Sequence, residues 1–184
     1  MRVMWFGIAC GLLMLAALPA RTQTTYRRAD VDTAGRLRVT TSAGVTIAPR
    51  MDSDQVGVAE PAVSPDGRSV GWLALYSNCC TSYPIPLALV VRSAGHERRF
   101  HGNDLPIAQW AFLDNGRRVA LSQAPLHGRV TTHYELYDVA SGQRLGTYDQ
   151  APDTDEAQLG SVAARRVPAW VRRAFAALAG SLSR

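Results

Sequence analysis

The chain has 184 residues, 47% of them apolar and 19% charged, with a formal net charge of +5. That length accommodates about one domain, and the apolar fraction excludes wholesale disorder. All 20 basic residues are arginine, spread along the chain without aromatic-interleaved clusters, so nucleic acid is not an expected partner.

Residues 1–20 read as a secretory signal. Arg2 opens the segment, an apolar run follows from Val3 to Leu18, and Leu18-Pro19-Ala20 ends it on a small residue. The run is about 16 residues, short of the roughly 20 that span hydrocarbon, and polar Arg21-Thr22-Gln23 follows at once. An uncleaved anchor is the rival reading. Cys10 sits too early for a lipoprotein signal. A periplasmic or secreted location follows, with a mature net charge of about +4 once Arg2 is removed.

The mature chain repeats itself. Val39-Thr40-Thr41-Ser42-Ala43-Gly44 recurs as Val90-Val91-Arg92-Ser93-Ala94-Gly95 and again as Tyr137-Asp138-Val139-Ala140-Ser141-Gly142. Between these, Ala62-Val63-Ser64-Pro65-Asp66-Gly67-Arg68 aligns with Ala111-Phe112-Leu113-Asp114-Asn115-Gly116-Arg117. Both features share a period of about 50 residues, the mark of a repeat architecture. In each copy a short apolar strand enters a turn where Asp or Asn caps its own backbone and Gly accepts positive φ. Three further β-rich segments follow. Four short strands per repeat make the unit of a propeller blade.

The tract Glu60-Pro61-Ala62-Val63-Ser64-Pro65-Asp66-Gly67-Arg68 resembles the WD-like repeat of TolB-type bacterial propellers, and Glu135-Leu136-Tyr137-Asp138-Val139-Ala140-Ser141-Gly142 resembles the third-strand turn common to many propellers. The resemblance covers residues 35–149. It implies an architecture found in periplasmic scaffolds, in lyases and in the non-catalytic domains of peptidases. No catalytic residue carries over, because the matching positions belong to turns and core.

A closed propeller takes four to eight blades. This chain holds a partial blade over 29–48 and whole blades over 57–101 and 107–149, within a β-repeat domain spanning 21–149. The expected fold is therefore mostly β: antiparallel four-stranded blade-like repeats in an open or incomplete propeller or sandwich, with one C-terminal α-helix. Open sheet edges invite pairing with another chain, so an oligomer is one way to complete it. A covering helix is the other. After an acidic linker over 150–160, residues 161–184 carry Val167, Trp170, Val171, Ala174, Phe175 and Leu178 on one helical stripe, with Pro168 at the start and Gly180 at the stop. That stripe can dock on the β-domain or lie on an anionic membrane surface.

Cys79-Cys80 are the only thiols beyond the signal segment. Neighbouring Cα atoms stand about 3.8 Å apart, below the roughly 4.4–6.8 Å of a relaxed disulfide, so a vicinal bond would be strained and reducible. A vicinal disulfide holding the loop, intermolecular pairing, packed thiols and redox chemistry all stay open. Asn78 and Tyr83 in that loop, and His127 and His133 around the equivalent loop one repeat later, form candidate binding loops. His96-Glu97 with His101 has the wrong spacing for a zinc-protease helix. No phosphate loop, nucleophile elbow or dinucleotide fingerprint occurs, so no catalytic, metal or cofactor-binding residue is assigned, and no cofactor is expected. The expected function is a secreted or periplasmic non-catalytic binding module for a protein or cell-envelope partner. The alternative is a thiol-redox or enzyme-accessory protein using Cys79 and Cys80. Intact mass with and without reductant separates the thiol states: a gain of two hydrogen masses without a dimer marks the vicinal bond, and two thiols titrating before reduction exclude it.

Overall fold

The computed structural model describes residues 24–79, 81–102, 105–127, 131–150 and 167–179. The signal segment and nearly all of the linker lie outside them. The described residues form three antiparallel sheets and one helix. The first sheet comprises β1 (Tyr26–Val31), β2 (Leu37–Thr41) and β3 (Thr46–Ile47). The second runs β4 (Gln55–Val63), β5 (Ser69–Tyr76), β6 (Ile85–Ser93) and β7 (His96–His101). The third runs β8 (Ile107–Leu113), β9 (Arg118–Gln123), β10 (Thr132–Asp138) and β11 (Arg144–Gln150), and α1 spans Ala169–Ala179. Each sheet pairs its strands in chain order, the meander of a propeller blade. No closed barrel forms among the described residues.

The first sheet has one strand more than the hairpin expected over 29–48. The Asp32 carboxylate accepts the amides of Ala34 (2.9 Å) and Arg36 (3.0 Å), closing a tight turn between β1 and β2. An Asp bonding its own backbone in this way substitutes for a longer loop. At the other reversals, Gly44, Gly67, Gly95, Gly116 and Gly142 all take positive φ. Gly116 has a second reason to be glycine: a Cβ there would lie 2.5 Å from Cβ of Ser64 in the neighbouring sheet.

The sheets stack face to face, as their alternation requires. Val70, Trp72 and Ala74 on β5, with Ala88 and Val90 on β6, meet Tyr26, Leu37 and Val39 of the first sheet. Leu73, Leu89, Val91 and Phe100 point the other way and meet Ile107, Val119 and Leu121 of the third. The central sheet is thus apolar on both faces. At Gly71 the interface is so close that a Cβ would stand 2.7 Å from the Trp110 ring.

The two ends of the stack are finished differently. The outward face of the first sheet is polar, with Arg28, Asp30, Arg38, Thr40 and Thr46 around an open concavity of about 460 Å³. The third sheet turns Leu113, Ala120 and Leu136 outward, and α1 covers them with Trp170, Ala174 and Phe175. Val171 is buried as well, and Phe175 stacks obliquely on Tyr134 at 5.4 Å. Arg173 reaches Asp114 at 3.4 Å. The helix begins after Pro168, whose carbonyl accepts the Arg172 amide at 3.2 Å. No described helix is long and apolar enough to cross a membrane.

Phe175→Ala should lower the unfolding free energy by about 2 kcal/mol, the lower part of the range for aromatic truncation because the ring is only half-buried. Gly71→Val should lower it by about 2 kcal/mol through overpacking against Trp110. Denaturant titration followed by tryptophan fluorescence reads both.

Candidate functional site

Chain reversals sort to two ends of the stack. At one end lie the tight glycine turns, fastened across sheets. The Tyr26 amide donates to the Gly67 carbonyl at 2.6 Å, and Arg98 Nη2 donates to the Ala140 carbonyl at 2.5 Å. At the other end lie the Asp32 turn, residues 48–54, and the described residues 77–79, 81–84, 102, 105–106, 124–127 and 131. Two of these connections meet: a Cβ on Gly102 would stand 2.4 Å from Gln123 Oε1, and the Ala124 amide donates to the Pro106 carbonyl at 3.3 Å.

The loop end holds the residues singled out above. Asn78 is half-buried and donates through Nδ2 to Thr81 Oγ1 at 3.2 Å, while the Thr81 hydroxyl donates to the Tyr83 carbonyl at 2.6 Å. Those two bonds brace the loop internally and leave the Tyr83 side chain 51% exposed. Cys79 is exposed beside Asn78. Cys80 lies outside the described residues, and with it the pairing of the two thiols. His127 is exposed on the next loop. His133 is carried by β10 and is largely buried between sheets. Val31, Met51, Val56, Tyr83 and Leu126 are exposed large apolar residues at this end, whereas Val45 and Leu145 are exposed at the other.

On the inward face of β9, β10 and β11 sits a polar cluster not expected from the sequence. Glu135 on β10 is 1% exposed. Its Oε2 accepts from Gln123 Nε2 and from the Tyr137 hydroxyl, each at 2.9 Å, and its Oε1 accepts from Arg144 Nη1 at 2.7 Å. His133 Nε2 faces the same Oε1 at 3.5 Å, and Nδ1 lies 2.5 Å from Asp149 Oδ1. Register explains the gathering. His133 pairs with Gln123 and with Asp149, so β9, β10 and β11 present these side chains on one face. Burial and the Glu135 carboxylate together push the Tyr137 hydroxyl up to about 12, so it serves as a donor throughout the neutral range. Alternation carried the signal: His133, Glu135 and Tyr137 occupy the inward parity of β10 next to buried Val139, and an inward Glu demands donors.

A second polar group lies between the 48–54 connection and β7. Arg99 Nη2 pairs with Asp52 at 3.0 Å, and its Nη1 donates to the Tyr76 hydroxyl at 3.2 Å. Burial, chiefly, raises the Tyr76 hydroxyl above the usual tyrosine value. Arg99 and Asp52, with Arg50, Met51, Ser53 and Glu97, line an open concavity of about 390 Å³. On β4, an edge strand of the second sheet, Glu60 takes φ +48 at a bulge, where its carbonyl accepts Trp110 Nε1–H at 3.2 Å. Burial raises its carboxyl above the ordinary glutamate value. No group of three metal-ligating side chains occurs among the described residues.

No protein-family model matches the chain, and no curated protein matches its sequence. Among solved structures, the hydrazine synthase of Kuenenia stuttgartiensis is similar to it at 15% identity and a TM-score of 0.44, over 70% of this chain and 34% of that one. The chain thus spans about a third of the length of the structure it resembles.

Proposed function

We propose that the protein is a non-catalytic binding module of the cell envelope, periplasmic or secreted, and that its loop end takes a protein partner. The observation that carries this reading is the placement of exposed apolar side chains. Met51, Val56, Tyr83 and Leu126 stand at one end of a stack whose other large apolar residues are mostly packed inside. Exposed apolar side chains on rigidly mounted loops are the usual raw material of a contact surface. Tyr83 supplies a large amphipathic group, and Asn78 and His127 supply polar contacts around it. The Ser64-Pro65-Asp66-Gly67 turn, with its serine hydroxyl donating to Asp66 at 2.7 Å, supports a TolB-type origin for the blades.

The apolar stripe of α1 rests on the third sheet through Trp170 and Phe175, so contact with a membrane surface would use the arginines of its outer face instead. Pairing of a second copy at a sheet edge is the competing route to completion. A thiol-redox role rests on the exposed position of Cys79 at the same loop end.

The test uses the mature chain as bait against an envelope extract. Tyr83→Arg with Leu126→Arg should reduce capture of the bound protein about tenfold, equivalent to ~1.4 kcal/mol. Val45→Arg with Leu145→Arg at the opposite end should leave it unchanged. Equal capture by both variants would place the contact elsewhere, and a dimer in light scattering would favour edge pairing.

A further inference from the structure

We infer that Arg117, Arg118 and Arg173 form a binding site for a phosphoryl group, carried on a membrane lipid or free in solution. Three elements bring these arginines to one residue, Asp114. Arg117 ends the turn after β8 and donates through Nε to the Asp114 carbonyl at 3.3 Å. Arg118 opens β9 and reaches Asp114 Oδ2 through Nη1 at 3.2 Å. Arg173 comes from α1 and reaches Oδ1 through Nη1 at 3.4 Å.

Depth separates this group from an ordinary surface ion pair. The Asp114 side chain is 18% exposed, whereas those of Arg118 and Arg173 are 44% and 57% exposed. The carboxylate lies beneath and the guanidiniums lie above it, open to solvent. Each guanidinium has several N–H donors in a planar fork and uses one on the Asp114 side chain or carbonyl. Most of their donors therefore stay free for an acceptor from outside.

The charges do not balance. Asp138, the cross-strand partner of Arg118, is taken up by the Ser141 amide at 2.7 Å and its hydroxyl at 2.8 Å. Asp66 on the neighbouring turn is taken up by the Ser64 hydroxyl at 2.7 Å and the Arg68 amide at 3.0 Å. Three guanidiniums thus share Asp114 among the described residues, and Arg172, turned back to the Val167 carbonyl, adds a further positive charge beside them. Cations held this close repel one another, and an added anion relieves the repulsion. A phosphoryl group suits the place better than a second carboxylate. It offers three oxygens to three arginines, and the guanidinium fork matches phosphate through paired N–H bonds. The site lies at the tight-turn end, opposite Tyr83 and Leu126, so it goes beyond the partner contact proposed above and stands or falls separately.

Calorimetric titration of the mature chain with pyrophosphate should show saturable binding at one site. Arg118→Gln with Arg173→Gln should weaken it about tenfold. Arg27→Gln with Arg38→Gln removes the same charge from exposed positions of the first sheet and should leave it unchanged. Asp114→Asn suits the left-handed backbone at that position and releases the guanidiniums, so it should tighten binding about threefold. Vesicles of phosphatidylglycerol in phosphatidylcholine separate the two sources. Co-sedimentation that follows the same order of variants assigns the phosphoryl group to lipid, and pyrophosphate binding without co-sedimentation assigns it to a soluble ligand. Absence of binding to both probes, or equal loss in the two double variants, overturns the site. Should the Arg118 and Arg173 variant fold poorly, Asp114→Asn decides alone: unchanged or weaker affinity there overturns it.

Discussion

A β-sheet with apolar side chains on both faces has to be covered twice, and the central sheet of this protein is such a sheet. From Ser69 to Ala74 every residue of β5 is buried, Trp72 pointing to one neighbour and Leu73 to the other. Covering one face brings in the first sheet and covering the other brings in the third. The third then carries an apolar outer face of its own, Leu113, Ala120 and Leu136, and the C-terminal helix covers it. Propagation stops at the first sheet because its outward positions are Arg28, Asp30, Arg38 and Thr40, which water serves well enough. A polar face on the terminal unit is how a stack of repeats ends in solution.

The same stacking creates the polar cluster. Inward positions of β10 lie between two sheets, where an ionised side chain loses most of its hydration. Glu135 is tolerated there because donors reach it from three strands: Gln123 on β9, Tyr137 on its own strand and Arg144 on β11. Such a network ties an edge strand to the interior, which an apolar residue at that position could not do directionally. His133 extends it to Asp149 at the rim. The network thus lies next to the strand ends that lead to exposed Leu126, while Tyr83 is exposed on the neighbouring sheet's loop.

Much of this was legible in the text of the chain. Repeated Ser-Ala-Gly and Asp-Gly turns announced blade-like hairpins, because only a few residue types accept positive φ or cap their own backbone. A helical stripe through Trp170, Phe175 and Leu178 announced an amphipathic helix. The extra strand β1 was not legible, since Asp32-Thr33-Ala34-Gly35 lacks the Pro-Asp-Gly wording and its turn is closed by side-chain bonds from Asp32. The candidate loops could be placed only by analogy between repeats. The burial of Glu135 was not legible, because one strand's alternation does not say which face another sheet will cover.

The sequence by itself determined local matters: where the chain turns, which segments are strands, and which face of each is apolar. These depend on dihedral preference and on a two-residue period, and both are properties of short segments. Only the tertiary structure decided that three sheets stack in a row without closing, that the helix stripe meets the third sheet, and that His133, Glu135 and Asp149 share one pocket of charge. Those outcomes depend on which faces find each other across about 50 residues of chain, and contact between distant segments is set by the packing of the whole.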